Sequence, residues 1–208
     1  MKKTVFEDGE LENLLNELTE DGQYDKACFL ALAMYSGRRK SELCRFRVSD
    51  FDDDKLVCGG ALYKSAPIKT KGRGVHGKML ECYTLAKKFR PYFDNWMKAR
   101  EDNGIESRWL FPIKSDMDNH IPISTANSWA NAYSRMCGKD LYIHSLRHYF
   151  VSALSRAGIP DSIVIEILGW TSAEMFKIYN DNPKDDQIAK YFKDGDIAVP
   201  DQKSLQDI

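Results

Sequence analysis

The chain has 208 residues, of which 43% are hydrophobic and 12% aromatic, enough to bury the core of one domain. Its five cysteines lie far apart without a CxxC pair, which disfavours a zinc ribbon or a disulfide framework. The pattern therefore predicts that the protein works in a reducing cytoplasm. The net charge of −1 argues against a uniformly basic protein. No apolar run approaches the ~20 residues of a membrane span, and we expect no signal peptide.

The hydrophobic pattern predicts a mostly helical domain with one short β-rich stretch. Going along the chain, helices are expected over residues 10–18, 26–35 and 41–46, a turn over 50–54, and strands over 56–58, 66–68 and 79–82. Further helices are expected over residues 85–103, 125–136, 145–157, 161–168, 173–179 and 185–192. We therefore predict an α+β fold, mostly α with a small three-stranded antiparallel β-sheet. Residues 1–192 form one domain in this interpretation, and residues 193–208 form a C-terminal tail that is loosely ordered or packs on a neighbouring protomer.

Charge is distributed unevenly along the chain. Residues 34–100 carry 16 basic and 7 acidic side chains, a net charge of +9. The flanking segments carry net charges of −5 (1–33), −2 (101–180) and −3 (181–208). The positive segment is a candidate phosphate-binding surface, and an ordinary solvated basic face is an equally good explanation.

The first polar motif, Gly-Arg-Arg-Lys-Ser-Glu-Leu at residues 37–43, lies where one predicted helix ends and the next begins. The guanidinium of Arg39 can present a planar fork of donors to two phosphate oxygens. Glu42, one helical turn later, can hold that fork in position. Taken alone, the two residues would more often form a simple surface pair at i,i+3.

Lys69 begins a second basic motif, Lys-Thr-Lys-Gly-Arg-Gly at residues 69–74, in a glycine-rich hairpin between two predicted strands. A flexible ammonium there can act as a general acid. Lys71 is only two residues away and would point to the same side of a strand, so both lysines remain candidates. A solvent-exposed basic turn is the simpler alternative.

Four further candidates occur near the C-terminus. His144 and Arg147 share a helix face at i,i+3, where Arg147 can bind a phosphate and His144 can donate a hydrogen bond or transfer a proton. Trp170 follows a Leu-Gly pair, and Tyr179 lies nine residues later. An indole N–H donates but cannot accept a proton, and a phenol needs a cationic pocket or a base to become a nucleophile. Each aromatic residue alone would more often be part of the core.

The order and spacing of these residues resemble the catalytic domain of the tyrosine recombinases, the phage integrase family. The resemblance covers roughly residues 5–192, with one departure, since Trp170 stands where most members carry histidine. It implies a site-specific DNA recombinase of a phage or mobile element that cleaves and rejoins DNA through a covalent 3′-phosphotyrosine, with neither metal nor ATP required. The implied catalytic residues are Arg39, Lys69, His144, Arg147, Trp170 and Tyr179, with Arg38, Lys40, Lys71 and Arg73 expected to contact DNA.

The resemblance also implies double-stranded DNA as the partner and a homotetramer in the recombination synapse. The isolated domain is expected to be a monomer. The expected location is the bacterial cytoplasm, in association with the nucleoid. The DNA-clamping domain that usually precedes the catalytic domain is expected to be absent. Three alternatives remain open. The first is a DNA-binding regulator with impaired catalysis on the same scaffold, which Trp170 suggests. The second is a helical protein–protein module, which the near-neutral charge suggests. The third is a type IB topoisomerase with the same chemistry.

Overall fold

A computed structural model of the chain describes residues 4–7, 9–70, 78–183, 192–193 and 196–197. Within these ranges the architecture is mostly helical, with small antiparallel sheets, as the sequence predicts. No helix in the described ranges is both long enough and apolar enough to cross a membrane.

The α-helices of the described ranges share one core. They are α1 (Glu10–Glu20), α2 (Tyr24–Ser36), α3 (Lys40–Leu43), α4 (Ala86–Asp102), α5 (Ile123–Cys137), α6 (Ile143–Arg156), α7 (Asp161–Leu168) and α8 (Ala173–Tyr179). Two 3₁₀ turns, Val48–Phe51 and Asp53–Lys55, follow α3.

Every strand pair in the described ranges is antiparallel. The strands are β1 (Leu56–Val57), β2 (Leu62–Lys64), β3 (Ile68–Lys69), β4 (Met79–Leu80), β5 (Tyr83–Leu85), β6 (Pro112–Ile113), β7 (Asp116–His120), β8 (Phe192–Lys193) and β9 (Asp196–Ile197). Strands β1, β2 and β5 form a three-stranded sheet in that order, with Leu56 opposite Tyr63 and Tyr63 opposite Thr84. The pairs β3–β4, β6–β7 and β8–β9 are separate.

Helix α2 lies at the centre of the core because it is apolar on almost every side. Each residue from Ala27 to Ser36 is buried, and the helix contacts α1, α4 and α6. It ends at Gly37, whose φ of +60° is a left-handed conformation that glycine adopts without steric cost. This stop directs the arginine motif away from the core helix and into the start of α3.

An aromatic cluster joins the three-stranded sheet to α4. Phe51 contacts Tyr63 of β2 at a ring-centroid distance of 5.5 Å. It also contacts Phe89 and Phe93 of α4 at 4.7 and 5.3 Å. Edge-to-face and tilted ring pairs of this kind add to the stabilisation from burial alone. The cluster therefore fixes the sheet to one side of the helical core.

The strand assignments differ from the sequence prediction in detail. Of the three predicted strands, only β1 belongs to the three-stranded sheet, whereas β3 and β4 pair separately. Strands β2 and β5 and the β6–β7 hairpin were not predicted, because they are short or lack alternating apolar residues. The predicted helix over 185–192 falls outside the described residues, except that Phe192 begins β8.

Candidate active site

Tyr179 is the last residue of α8, and its ring lies among those of other predicted site residues. The ring centroids of His144 and Trp170 are 5.0 and 5.1 Å from that of Tyr179, and the Trp170 pair is stacked. The Arg147 guanidinium carbon lies 5.3 Å from the same centroid. Three side chains from α6 and from the turn after α7 therefore meet at one phenol.

Arg147 is almost completely buried beneath this cluster. Its Nη1 donates to the Gly37 carbonyl at 2.9 Å, and its guanidinium lies 5.0 Å over the Trp170 ring. Burial, followed by the charges of Arg39 and Arg38, lowers the pKa of the Arg147 guanidinium to about 10, so it stays charged at neutral pH. Its Nε and Nη2 find no hydrogen-bond acceptor among the described residues. Such donors are costly unless an anion completes the site.

Arg39 lies at the N-terminus of α3, and Glu42 holds it there. One carboxylate oxygen of Glu42 accepts from the Arg39 backbone N–H at 3.0 Å, and the other accepts from Arg39 Nη1 at 3.2 Å. The Glu42 carboxylate is buried, whereas the Arg39 side chain is 38% exposed. This arrangement leaves the outer part of the guanidinium fork available to a ligand.

His144 lies in the first turn of α6 and is half-buried. Its Nε2 atom is buried and has no partner within the described part of the chain. Burial, followed by the nearby His148, Arg147 and Arg39, lowers the pKa of His144 to about 4. The ring is therefore neutral at neutral pH, and it can accept a proton or donate one hydrogen bond.

The Trp170 position depends on close packing at Gly169. Gly169 ends α7 with a φ of +62°, and a Cβ atom there would lie 2.4 Å from Cδ1 of Leu80 on β4. Lys78 Nζ also donates to the Gly169 carbonyl at 3.4 Å. Trp170 Nε1 is buried without an acceptor among the described residues. The β3–β4 pair therefore lies against the turn that presents an unpaired indole donor.

Lys69, the predicted general acid, lies on β3 opposite Met79 of β4. Its carbonyl accepts from Arg45 Nη1 at 2.9 Å. The strand pair thus brings the Lys69 backbone to the side of the molecule that carries Trp170. Lys71 and Arg73, the other predicted basic residues of this hairpin, lie outside the described residues.

Arg38 differs from a surface DNA contact in its location. The side chain is 1% exposed, and Nη2 donates to the Ile167 carbonyl of α7 at 2.5 Å. Its Nε and Nη1 are buried without an acceptor within the described ranges. Arg38 is thus as deeply buried as Arg147, and its contact with DNA stays a prediction. Arg38 instead links the arginine motif to the last turn of α7, just before Trp170.

A groove of about 560 Å³ begins beside Arg39 and His144 and follows α5. Lys40 is on its edge, where Nζ donates to Asn127 Oδ1 at 3.0 Å. Asn131, one turn further along α5, also lines the groove. Lys40, a predicted DNA contact, thus lies at the surface next to Arg39 and His144.

Two site residues were missed by sequence reasoning. His148 is buried one helical turn after His144, and its ring centroid is 4.6 Å from that of Tyr179. Its Nδ1 lies 3.1 Å from an Asp181 carboxylate oxygen. The i,i+4 spacing of His144 and His148 is the sequence signal that could have indicated His148. Asp181 follows the end of α8 and carries no recognisable pattern.

Comparisons of the sequence with known proteins identify a family. The family model described as the phage integrase family matches residues 4–185. A tyrosine recombinase of Pseudothermotoga lettingae is 30% identical over 193 residues, covering 89% of this chain and 60% of the relative. The tyrosine recombinase XerA of Pyrococcus furiosus is 26% identical, covering 86% of this chain and 57% of the relative. The chain thus spans under two thirds of the length of these relatives.

Solved structures show the same fold. The crystal structure of XerA recombinase matches with a TM-score of 0.69 and 19% identity, over 92% of this chain and 65% of that one. XerH recombinase bound to its difH substrate before cleavage matches with a TM-score of 0.64 and 19% identity, over 88% of this chain and 53% of that one. The mostly helical core with small antiparallel sheets is the fold that these catalytic domains share. With its family model spanning most of the residues, this chain belongs to the phage integrase family.

Proposed function

We propose that this chain is the catalytic part of a site-specific DNA recombinase in which Tyr179 is the nucleophile. The observation that carries this proposal is the set of buried donors around one phenol. Arg147, Trp170 and His144 all contact the Tyr179 ring or each other, and each has a buried nitrogen without a partner in the described ranges. A tetrahedral anion with several oxygens is the ligand that such a set fits.

The proposed reaction begins when Arg39 and Arg147 bind the two non-bridging oxygens of a DNA phosphodiester. The Tyr179 oxygen then attacks phosphorus, and the bond between phosphorus and the 5′ oxygen breaks. His144, neutral in the free protein, accepts the phenol proton, and Lys69 donates a proton to the departing 5′ oxygen. The products are a 3′-phosphotyrosine and a free 5′ hydroxyl.

Positive charge already in place stabilises the transition state of this step. The two guanidiniums and the Trp170 N–H are fixed by α3, α6 and the turn after α7, so little reorganisation is needed as charge builds on the phosphoryl oxygens. Rejoining is the reverse reaction with a 5′ hydroxyl from another strand. The covalent link retains the energy of the broken bond, so no ATP is consumed. Recombination of two duplexes would use four protomers, and a mobile element is the proposed source of the gene.

A regulator with impaired catalysis is a weaker candidate. The type 1 fimbriae regulatory protein FimB of Escherichia coli K12 is 26% identical over 179 residues, covering 81% of this chain and 79% of that protein. However, a regulator has no need for unpaired donors around a phenol. Their presence at Tyr179 favours the catalytic proposal.

The polarity of the covalent link tests this chemistry. A nicked duplex is labelled at either the 5′ or the 3′ end of the cut strand and incubated with the protein in EDTA, without ATP. We expect the 5′-labelled strand to migrate with protein on a denaturing gel, and the 3′ fragment to be released with a 5′ hydroxyl that polynucleotide kinase phosphorylates directly. Transfer of the 3′ label to protein, or dependence on added metal ions, would overturn the mechanism.

A further inference from the structure

The three residues that follow Tyr179 are attached to α6. Helix α8 ends at Tyr179, and the last helical hydrogen bond runs from the Asn180 N–H to the Phe176 carbonyl at 2.9 Å. Asn180 Nδ2 donates to Ser155 Oγ of α6 at 3.2 Å. The Asp181 N–H donates to Ser152 Oγ at 2.9 Å. Asn182 Nδ2 donates to the Ser152 carbonyl at 3.0 Å. The last two bonds both end at Ser152 of α6.

Asp181 makes a further contact that reaches the nucleophile's own surroundings. Its carboxylate lies 3.1 Å from His148 Nδ1, and the two side chains are 13% and 4% exposed. The attraction between a carboxylate and an imidazole is stronger in such a poorly hydrated place than at the surface. A carboxylate at Nδ1 also fixes the orientation of an imidazole ring and its tautomer.

The His148 ring in turn faces Tyr179. Its centroid lies 4.6 Å from that of Tyr179, nearer than those of His144 at 5.0 Å or Trp170 at 5.1 Å. Movement of the His148 ring would therefore open space on one side of the phenol. Because the Asp181 carboxylate contacts this ring, a change at Asp181 has a direct route to the phenol.

We infer that Asp181 is a positioning residue that acts on Tyr179 through His148. The contacts form a closed circuit. It runs along the chain from Tyr179 to Asp181, from there to His148 on α6, and from His148 back to the Tyr179 ring. This circuit holds the phenol against the α6 of its own chain, beside Arg147 and His144. The inference rests on the proposed function, because it concerns the rate at which Tyr179 attacks a phosphate.

A double-mutant cycle on the full chain tests the inference. The single-turnover rate of covalent-complex formation is measured at saturating nicked DNA for wild type, Asp181→Ala, His148→Ala and the double variant. We expect Asp181→Ala to slow the reaction by about 10- to 100-fold, as misplacement of a reacting group does, with DNA affinity unchanged. In the His148→Ala background, the same change should have less than about a twofold effect.

Conservative variants separate positioning from folding. Asp181→Asn keeps an acceptor for the imidazole N–H and should recover most of the rate that Asp181→Ala loses. Asp94→Ala, which removes an exposed ion pair with Arg90 on α4, is the matched control and should react like wild type. If His148→Ala does not fold, His148→Phe replaces it, because it keeps a ring beside Tyr179 while losing the bond to Asp181.

The outcomes distinguish the two proposals. If wild type forms a complex and Asp181→Ala reacts at the same rate, the positioning role is wrong and the recombinase proposal stands. Equal effects of Asp181→Ala in both backgrounds would also exclude action through His148. If wild type forms no complex on any nicked duplex that it binds, the recombinase proposal itself fails.

Discussion

His144 combines a proposed catalytic role with an unusual charge state. The pKa of about 4 arises mainly from burial, and then from three neighbouring groups that are positive or can become so. A neutral imidazole is suited to take the phenol proton at neutral pH. A bound phosphate would bring negative charge close to the ring and favour the protonated form. The imidazole proposed to take the phenol proton is therefore a weaker base in the free site than it would be with a phosphate bound.

The pH dependence of stability follows from this shift. A histidine in an unfolded chain titrates near pH 6.5, whereas His144 in the fold titrates near 4. Between these values the unfolded chain binds more protons, so acidification lowers the free energy of unfolding. We expect that loss between pH 6.5 and 4.5 to be smaller in His144→Gln than in wild type, as measured by urea unfolding at several pH values.

A control variant makes the comparison specific. His120→Gln removes a histidine from the β6–β7 hairpin, where the ring bonds the Ile121 carbonyl, and should change the pH profile less than His144→Gln does. Identical pH profiles for wild type and His144→Gln would show that this ring is not held neutral by its surroundings.

Arg38 shows what a sequence pattern cannot reveal about a single residue. Charged side chains are normally assigned to the surface, and three consecutive basic residues at 38–40 gave no reason to separate one from the others. The structure buries the first, exposes part of the second and places the third at a groove. Only the tertiary contact with the Ile167 carbonyl distinguishes Arg38 from its neighbours.

At the scale of elements, α6 carries most of the site. His144, Arg147 and His148 point to the Tyr179 cluster, and Ser152 holds the segment after α8. Arg147 and His148 lie three and four residues after His144, and Ser152 lies four after His148, so they share one side of the helix. The sequence predicted the helix and two of these residues. The contacts of His148 and Ser152 depend on where α8 ends, which the hydrophobic pattern does not determine.

The junction between α2 and α3 is equally constrained. Gly37 has a left-handed backbone, its carbonyl accepts from Arg147, and a Cβ atom there would lie 2.5 Å from Phe150 Cδ1 and 3.2 Å from Phe150 Cβ. Phe150 is buried on α6 and has little room to move. The spacing between the α2 terminus and α6 therefore sets the positions of Arg39 and Arg147 relative to each other.

Gly37→Ala should consequently destabilise the protein by roughly 2–4 kcal/mol, since it adds a clash in the core to the cost of a left-handed alanine. Gly22→Ala is the matched control, because Gly22 has a φ of +70° with nothing within 4 Å of its Cβ position, and it should cost only about 1 kcal/mol. Urea unfolding of both variants measures the difference. Equal losses would mean that Phe150 yields without cost.

At the scale of the whole molecule, charge and fold point to the same side of the protein. The segment with a net charge of +9 contains α3 and the β3–β4 pair, which carry Arg39 and the proposed general acid Lys69. The near-neutral total thus conceals a basic region where a polyanion would bind. A protein–protein module gives no reason for this coincidence of charge, groove and buried donors.

The sequence predicted the helical architecture better than the sheets. Helices longer than two turns have a strong periodic signal, and α4, α5, α6 and α7 were expected near their observed bounds, as was the seven-residue α8. Strands β2 and β5 have three residues each, and their pairing joins segments about twenty residues apart. No local pattern records such a partner. The polar hairpin β6–β7 also lacks alternation, since β7 reads Asp-Met-Asp-Asn-His.

The predicted site residues were found through order and spacing along the chain rather than through local patterns. Separately, each motif has a simpler structural explanation, as the stacked Trp170 and buried Tyr179 illustrate. The structure brings Arg147, His144, Trp170 and Tyr179 within contact of one another, which the linear sequence alone does not specify. Their assignment to catalysis stays a prediction until the reaction is observed.

Covalent trapping on nicked DNA tests the central proposal most directly. A pool of labelled nicked duplexes, made from the DNA that flanks the coding sequence and from random sequence, is incubated with wild type or with Tyr179→Phe. Cleavage next to a nick releases a short strand that diffuses away, so the phosphotyrosine cannot rejoin. We predict a protein-linked band on a denaturing gel for wild type alone, with equal DNA binding and equal unfolding midpoints for both proteins. A band in both proteins, or in neither although both bind DNA, would contradict the assignment of Tyr179 as the nucleophile.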